Sequence, residues 1–444
     1  MEIKMPATVK MVLDTLHANG YEAYAVGGCV RDSILGRRPD DWDITTSALP
    51  EQVKAIFGRT VDTGIQHGTV TVLVGGKAHE VTTYRLDGEY LDGRHPEDVT
   101  FVSNLEEDLK RRDFTINAMA YNEEEGLIDL FGGVEDLERK VIRCVGDPMQ
   151  RFSEDALRIM RAVRFSAQLS FGIDPDTIAG IIRLAPTLEK VSAERICTEL
   201  TKMLLSEHPN YLKVAYEAGI TRIVLPEFDA MMQTPQNHPR HMANVGEHTL
   251  MSMQAVKNDR VLRYTMLFHD IGKPLCRTTD EVGIDHFRGH NEISADMAGQ
   301  IMRRLKMDND TIKKVKTLVY WHDWMGEATP KSVRRLIHHV GADLFPLLMQ
   351  VKNADTMAKS ERYRVEELQY NILVSRIGDD ILRENQCLTL KDLAVNGKDL
   401  MELGVQKGPG LGEILQMLLE EVLEVPEKND RDLLLDIVRS HLEL

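Results

Sequence analysis

The spacing of apolar and polar residues changes character near residue 140. Before that point, residues 5–20 carry apolar positions at helical spacing, and YEAYAVGG reads as a strand that runs into two glycines. Residues 29–36 then read as a short helix. WDITTS, TVTVLVGG and AHEVTTYR read as strands, with Gly75-Gly76 between the last two marking a hairpin turn. Beyond residue 140 the strand pattern fades. EDALRIMRAVRFSAQL, AERICTELTKMLL and GEILQMLLEEVLEVP all keep the 3.6-residue period of amphipathic helices. The expected fold class is therefore α+β: a small head with a mixed or antiparallel sheet, then a long all-α body. A Pro-, His- and Asn-rich stretch at 234–248 and a helix–glycine–helix pattern at 396–415 punctuate that body. These breaks divide the chain into 1–139, 140–225, 226–363 and 364–444.

Composition narrows the class. With 444 residues, the chain exceeds one ordinary core, and 43% hydrophobic content describes an ordered globular protein. No apolar run approaches the ~18 residues that span a bilayer, and MEIKMPATVK lacks the apolar core of a signal peptide. Five scattered cysteines without a CxxC pair fit a reduced, cytoplasmic protein with no cysteine-based zinc site. The net charge of −16 is unusual for a nucleic-acid binder. Local basic clusters at 110–112, 158–164 and 313–316 leave that partner open. Neither a membrane nor an obligate protein partner is indicated.

The densest chemistry lies in YAVGGCVRDSILGRRPDDWDITTS, residues 24–47. Asp41 and Asp43, two apart on a strand, would project to one face. Adjacent carboxylates repel unless a cation lies between them, and hard oxygen ligands suit Mg²⁺. Gly27-Gly28 ahead of a helix lets the backbone approach a phosphate. Glu80 on a later strand could add a third carboxylate. A glycine turn before a solvated acidic loop, with Arg31-Asp32 as an intrahelical pair, is the alternative. The combination of GG, RD and DxD resembles motif A of the nucleotidyltransferase superfamily that includes DNA polymerase β.

The segment RFSEDALRIMRAVRF (151–165) reads as a helix capped at Ser153, with Asp155 and Arg158 on one face. An acceptor beside a forked donor matches the pairing edges of cytosine and adenine, and would leave polar groups unpaired against guanine or uracil. EDALRIMRAVRF resembles motif D of class II CCA-adding enzymes and bacterial poly(A) polymerases. RRDFTINAMAY (111–121) resembles their motif B, DLFGGVEDL (129–137) motif C and ERICTEL (194–200) motif E, while DGRHPEDVTFV (92–102) occupies the place of a flexible loop. That resemblance implies a polymerase-β-like head and helical neck. It also implies addition of C, C and A to a tRNA 3′ end from CTP and ATP. Asp41 and Asp43 would hold Mg²⁺. Gly28, Arg31 and Arg112 would serve the phosphates, Asp113 and Asn117 the ribose, Asp155 and Arg158 the base, and Arg161 the base or triphosphate. Poly(A) or A-only addition is the runner-up.

The region 226–363 holds a second set of ligand-type residues: GEHTL, LFHDIGKP, FRGHNEIS, YWHDW and KNADTMAKS. Imidazoles and carboxylates together suit a divalent metal of unknown identity. The order H…HD…D, carried by His248, His269, Asp270 and Asp355, resembles the HD phosphohydrolase superfamily, and His290 and His322 match additional ligand positions. The implied chemistry is phosphoester hydrolysis, against a fold kept for packing or tRNA contact, or a hydrolase with a vestigial head. GPGLGE (408–413) lacks a preceding strand, so it opens a helix rather than binding a dinucleotide.

Overall fold

In the computed structural model, residues 2–87, 99–102 and 104–442 are described. Most of the loop 92–102 lies outside them. The chain divides into two compact units, Met1–Asp229 and Ala230–Leu444.

The first unit is built on a seven-stranded sheet. Its strands are β1 (Ala23–Val26), β2 (Asp43–Thr46), β3 (Thr60–Gly64), β4 (Thr69–Val74), β5 (Lys77–Thr83), β6 (Met119–Asn122) and β7 (Gly126–Asp129). They lie in the order β3-β4-β5-β2-β1-β6-β7. The pairing of β2 with β5 is parallel and the others are antiparallel, so the sheet is mixed. β1 is buried along its whole length because it runs through the middle of the sheet. The helix Ala7–Ala18 covers one face through Val9, Val12, Leu13 and Leu16, all fully or nearly buried. Each such burial contributes about 1.5–3 kcal/mol. Gly75 and Gly76 make the expected hairpin, with φ of +58° and +76° that a two-residue primed turn demands.

Two sequence expectations need correction. β3 was not foreseen, because TVDTG is a polar, mostly exposed edge strand without apolar alternation. The stretch 151–165 is two helices, not one. The first, Pro148–Glu154, is capped by Asp147, and the second runs Leu157–Leu169. Ser153 caps nothing; its hydroxyl donates to the Met149 carbonyl inside the first helix. Asp155 sits at the break in extended conformation (φ −141°, ψ 103°), its carboxylate accepting from the Leu157 amide at 3.0 Å. An aspartate that caps the next helix breaks the one before it.

The second unit is helical. Five helices, Val245–Ala255, Arg260–Phe268, His290–Arg304, Asn309–Trp321 and Phe345–Met357, carry or directly precede the six histidine-region ligand residues. The helices Pro330–Val340, Glu361–Arg383, Pro409–Glu424 and Arg431–His441 share a core containing Leu336, Val374, Leu418, Val422 and Val438. Among the described residues, no helix is long and apolar enough to cross a membrane.

Candidate functional site

In the head, Asp43 opens β2 and Asp41 lies just before it, outside the strand itself. Ile44 pairs with Val81 in the parallel ladder, so Asp43 and Glu80 are the next neighbours across it and face the same way. Withdrawal from water raises the pKa of Asp43. The Arg112 guanidinium opposes this shift and the Asp41 charge adds to it. Glu80 is raised by the same desolvation and by the charges of Asp43 and Asp41. Asp43 and Glu80 therefore both lie in the field of Asp41, the like-charge crowding that a cation would relieve. The oxygens of the three carboxylates do not close to the 4.8 Å mutual spacing that two ligand groups of the second unit reach.

The glycine side of this acidic group is basic. Gly27 has φ +82°, the left-handed region that favours glycine, and the Arg112 guanidinium lies against the turn, its Nη1 3.0 Å from where a Cβ would stand. Gly28 begins a short helix, Gly28–Ile34. Arg31, one turn in, is buried and bonded both to Asp32 (Nε to Oδ1, 2.9 Å) and to Asn117 (Nη1 to Oδ1, 2.6 Å). The intrahelical pair exists, yet it is also the start of a longer chain. Asn117 donates to Asp113 at 3.1 Å, and Asp113 accepts from Arg161 Nε at 2.7 Å. Burial alone would raise the Asp113 carboxyl. The Arg161 charge, hydrogen bonds from Asn117 and Arg161, and the Arg158 charge instead hold it down to about 2. Beneath them, the Phe165 ring carries the guanidiniums of Arg31, Arg161 and Arg164 at 5.0, 5.3 and 3.8 Å. A cavity of about 770 Å³ opens here, lined by Gly28, Arg31, Arg38, Arg164, Lys202 and the two aspartates.

Asp155 and Arg158 do not share one helical face, and each is already engaged. Asp155 Oδ2 accepts from Arg195 Nη2 at 2.7 Å. Arg158 donates to Glu154 (2.6 Å) and to the carbonyls of Arg151 (3.1 Å) and Arg111 (3.0 Å). Asp155 and Arg158 are thus held from outside by two residues not among the expected site residues, Glu154 and Arg195. Glu154 could have been found as the carboxylate four residues before Arg158. Arg195 lies 40 residues from Asp155 and had no local signal. Glu199, which pairs with buried Arg164 (Nε to Oε2, 2.5 Å), was missed for the same reason.

In the second unit, six predicted ligand residues converge. His248 Nε2 lies 2.9 Å from Asp355 and 3.6 Å from Asp270, and His269 Nε2 lies 3.4 Å from Asp270 and 3.7 Å from Asp355. His290 and His322 approach the other oxygen of Asp270 at 3.4 and 3.8 Å. Their Nδ1 atoms lie against backbone carbonyls: His269 on Met266 (2.7 Å), His290 on Phe287 (2.8 Å), His322 on Val319 (2.6 Å) and His248 on Ala358 (3.4 Å). An Nδ1 that donates there leaves the Nε2 lone pair facing the centre. The Nε2 atoms of His290 and His322 then stand 3.3 Å apart, two acceptors that need a cation or a proton between them. Burial, against the opposing charge of Asp270, depresses His290 to about 4, which leaves it neutral near pH 7. The residues fit a divalent metal. Lys273 and Lys359 balance the carboxylates, at 2.7 Å from Asp270 and 2.9 Å from Asp355.

Comparison with known proteins shows the family. Residues 23–143 match the model of a "Poly A polymerase head domain", 170–232 that of a "Probable RNA and SrmB- binding site of polymerase A", and 286–438 that of a "tRNA nucleotidyltransferase domain 2". A CCA-adding enzyme of Levilactobacillus brevis is 38% identical over 429 residues, covering 96% of each chain. One from Enterococcus faecalis is 35% identical and covers 97% of this chain and 94% of its own. The chain belongs to the CCA-adding enzyme family. Among solved structures, the Bacillus stearothermophilus CCA-adding enzyme in complex with CTP matches with TM-score 0.72 and 30% identity, over 99% of this chain and 100% of that one. The head sheet and helical remainder expected from the residue pattern are those of this family's structures.

Proposed function

We propose that this protein completes tRNA 3′ ends, adding C, C and A from CTP and ATP without a nucleic-acid template. The observation that carries this reading is Asp41 and Asp43 on the rim of a cavity whose other wall is arginine and glycine, with Glu80 across the strand ladder from Asp43, in a chain similar throughout to CCA-adding enzymes. The 3′-hydroxyl attacks the α-phosphate, the new 3′-O–P bond forms, and the bond to the β-phosphate's bridging oxygen breaks to release pyrophosphate. Asp41 and Asp43, with Glu80 beside them, would hold Mg²⁺, which supplies charge stabilisation to the attacking and leaving oxygens. Gly28, Arg31 and Arg112 receive the triphosphate. Asp113 and Asn117, fixed by Arg31 and Arg161, serve the ribose. Asp155 and Arg158 select the base, held in place by Arg195 and Glu154.

In this reading residues 1–139 are the head, 140–225 the neck and body, 226–363 an HD domain and 364–444 a helical tail that contacts tRNA. The five cysteines, all unpaired, suit a reducing cytoplasm. Incorporation with each single nucleotide, on tRNA truncated by one, two or three residues, tests the reading. Label from CTP on tRNA lacking its last three residues, followed by ATP, supports it. Use of ATP alone on any RNA end would turn it into poly(A) polymerase, the runner-up.

A second activity is carried by its own observation, the facing Nε2 atoms of His290 and His322 beside Asp270. We assign this centre a divalent metal and hydrolysis of phosphoesters such as 2′,3′-cyclic ends. The surrounding cavity of about 300 Å³ is lined by Lys273, Lys359, Arg240 and Arg288 and by Asp270, Asp285, Asp323 and Asp355, basic groups that would meet a phosphoester beside carboxylates that would hold the metal. Elemental analysis of the purified protein and cyclic-nucleotide hydrolysis, each compared with His269→Ala, decide it. Metal bound without hydrolysis under Mn²⁺, Ni²⁺, Co²⁺ or Mg²⁺ would leave a structural centre only.

A further inference from the structure

The Pro-, His- and Asn-rich stretch at 234–248 forms neither helix nor strand until Val245. An irregular segment of this length is ordinarily mobile, yet this one is fastened on three sides. Gln236 accepts from the buried Lys273 ammonium at 2.8 Å. The Asn237 amide donates to Asp285 Oδ2 at 2.8 Å, and its carbonyl accepts from the Asp285 amide at 2.9 Å. The carbonyls of Pro239 and Arg240 accept from the Ser360 hydroxyl and amide, at 2.9 and 2.8 Å. Lys273 and Ser360 follow shortly after Asp270 and Asp355, so the segment is tied to the frame of the second centre. It carries His241 to the wall of that centre's cavity. There the His241 ring meets the ring of His248 edge-on, with centroids 5.2 Å apart and planes at 90°.

His241 is not built as a ligand. The four ligand imidazoles set Nδ1 against a backbone carbonyl, which leaves the Nε2 lone pair to the centre. The Nδ1 of His241 is instead buried with no hydrogen-bond partner among the described residues. The ring also belongs to neither group of closely spaced ligand atoms. An orphaned buried N–H is rarer than an orphaned acceptor, so the proton belongs on Nε2. His241 thus has the opposite tautomer from the ligands: it is a donor where they are acceptors. A donor at the wall of a metal cavity suits a phosphoryl oxygen. We infer that His241 donates its Nε2–H to a non-bridging oxygen of the phosphoester that the second centre hydrolyses. The inference rests on the phosphoester reading above and adds to it a residue that touches the substrate. Opening a 2′,3′-cyclic phosphate consumes one water: its oxygen bonds to phosphorus, one ribose oxygen–phosphorus bond breaks, and the freed ribose oxygen takes the proton. Charge grows on the non-bridging oxygens on the way, where a fixed N–H stabilises it.

The experiment uses the full chain, loaded in turn with Mn²⁺, Ni²⁺, Co²⁺ or Mg²⁺, and two variants. His241→Phe keeps a flat ring against His248 and removes both nitrogens, while His241→Gln returns an amide N–H near the place of Nε2. His241→Phe should lower kcat/KM for 2′,3′-cyclic AMP about 10- to 100-fold, the range of one hydrogen bond to a charged group, and His241→Gln should recover part of the loss. Inorganic phosphate, titrated by calorimetry without turnover, should bind His241→Phe about tenfold more weakly than wild type. Metal content by elemental analysis, melting temperature and CTP incorporation should all match wild type. Metal lost from His241→Phe would make the residue a ligand and overturn the assignment. Hydrolysis and phosphate affinity unchanged in both variants would overturn it too, as would equal losses in both with a lowered melting temperature, the mark of packing alone. If wild type binds phosphate more tightly than His241→Phe yet hydrolyses nothing, the hydrolytic reading fails and the contact stands; if it neither binds nor hydrolyses, both fail.

Discussion

Arg195→Met isolates the hold on Asp155, the aspartate proposed to read the base. Asp155 lies where two helices part, and among the described residues two hydrogen bonds orient its carboxylate: the Leu157 amide at 3.0 Å on one oxygen and Arg195 Nη2 at 2.7 Å on the other. Both side chains of the ion pair are mostly sheltered, with 20% and 16% exposed. Methionine keeps the apolar stem that packs along the helix Ala193–Leu204 and removes only the charged fork. A hydrogen bond to a charged group is worth about 1.5–3 kcal/mol. At about 1.4 kcal/mol per factor of ten, its loss should lower kcat/KM for both CTP and ATP by roughly 10- to 150-fold. KM for tRNA should not change, and Arg195→Lys should recover part of the loss. The assay is single-nucleotide incorporation over a range of CTP and ATP, with UTP and GTP run in parallel to read the discrimination ratio. The reasoning fails if Arg195→Met stays within twofold of wild type while Asp155→Ala is inactive. It also fails if the defect moves to tRNA binding.

Asp43→Ala should abolish incorporation of both nucleotides while circular dichroism and the melting curve stay as in wild type; retained activity would remove the carboxylate site from the chemistry. Glu199→Gln leaves the Arg164 guanidinium, nearly buried, without its counter-charge, and should cost about 3–5 kcal/mol. Urea unfolding followed by a head or neck fluorophore checks this, and an unmoved midpoint would contradict it. Asp113, with its pKa depressed to about 2, contributes stability that is complete above the ordinary carboxylate value near 4 and is lost as pH falls toward 2. Asp113→Asn should therefore be less stable than wild type at pH 6 by more than at pH 2.5. An equal difference at both values would show that the carboxylate charge plays no part.

Much of the site was legible in the residue order, because its parts are local. A glycine pair before a short helix, two aspartates at a strand's start and a Gly-Gly hairpin are each decided within a few residues, by steric freedom at φ > 0 and by the two-residue period of a strand. The helical ligand residues were legible as types, His and Asp on amphipathic segments, without any indication of their spacing. What residue order could not supply was everything set by register and packing. The edge strand Thr60–Gly64 is too polar to show alternation, so its place beside β4 was invisible until the strands were paired. Asp155 and Arg195, 40 residues apart, and His248 and Asp355, 107 apart, meet because helices pack. The apparent single helix of 151–165 is broken because Asp155 caps the second half and is drawn to Arg195. Local sequence determined which groups this chain carries and the backbone that bears them. Only the tertiary structure decided which of those groups face each other, since burial and strand register are properties of contacts between distant segments and have no short-range signature.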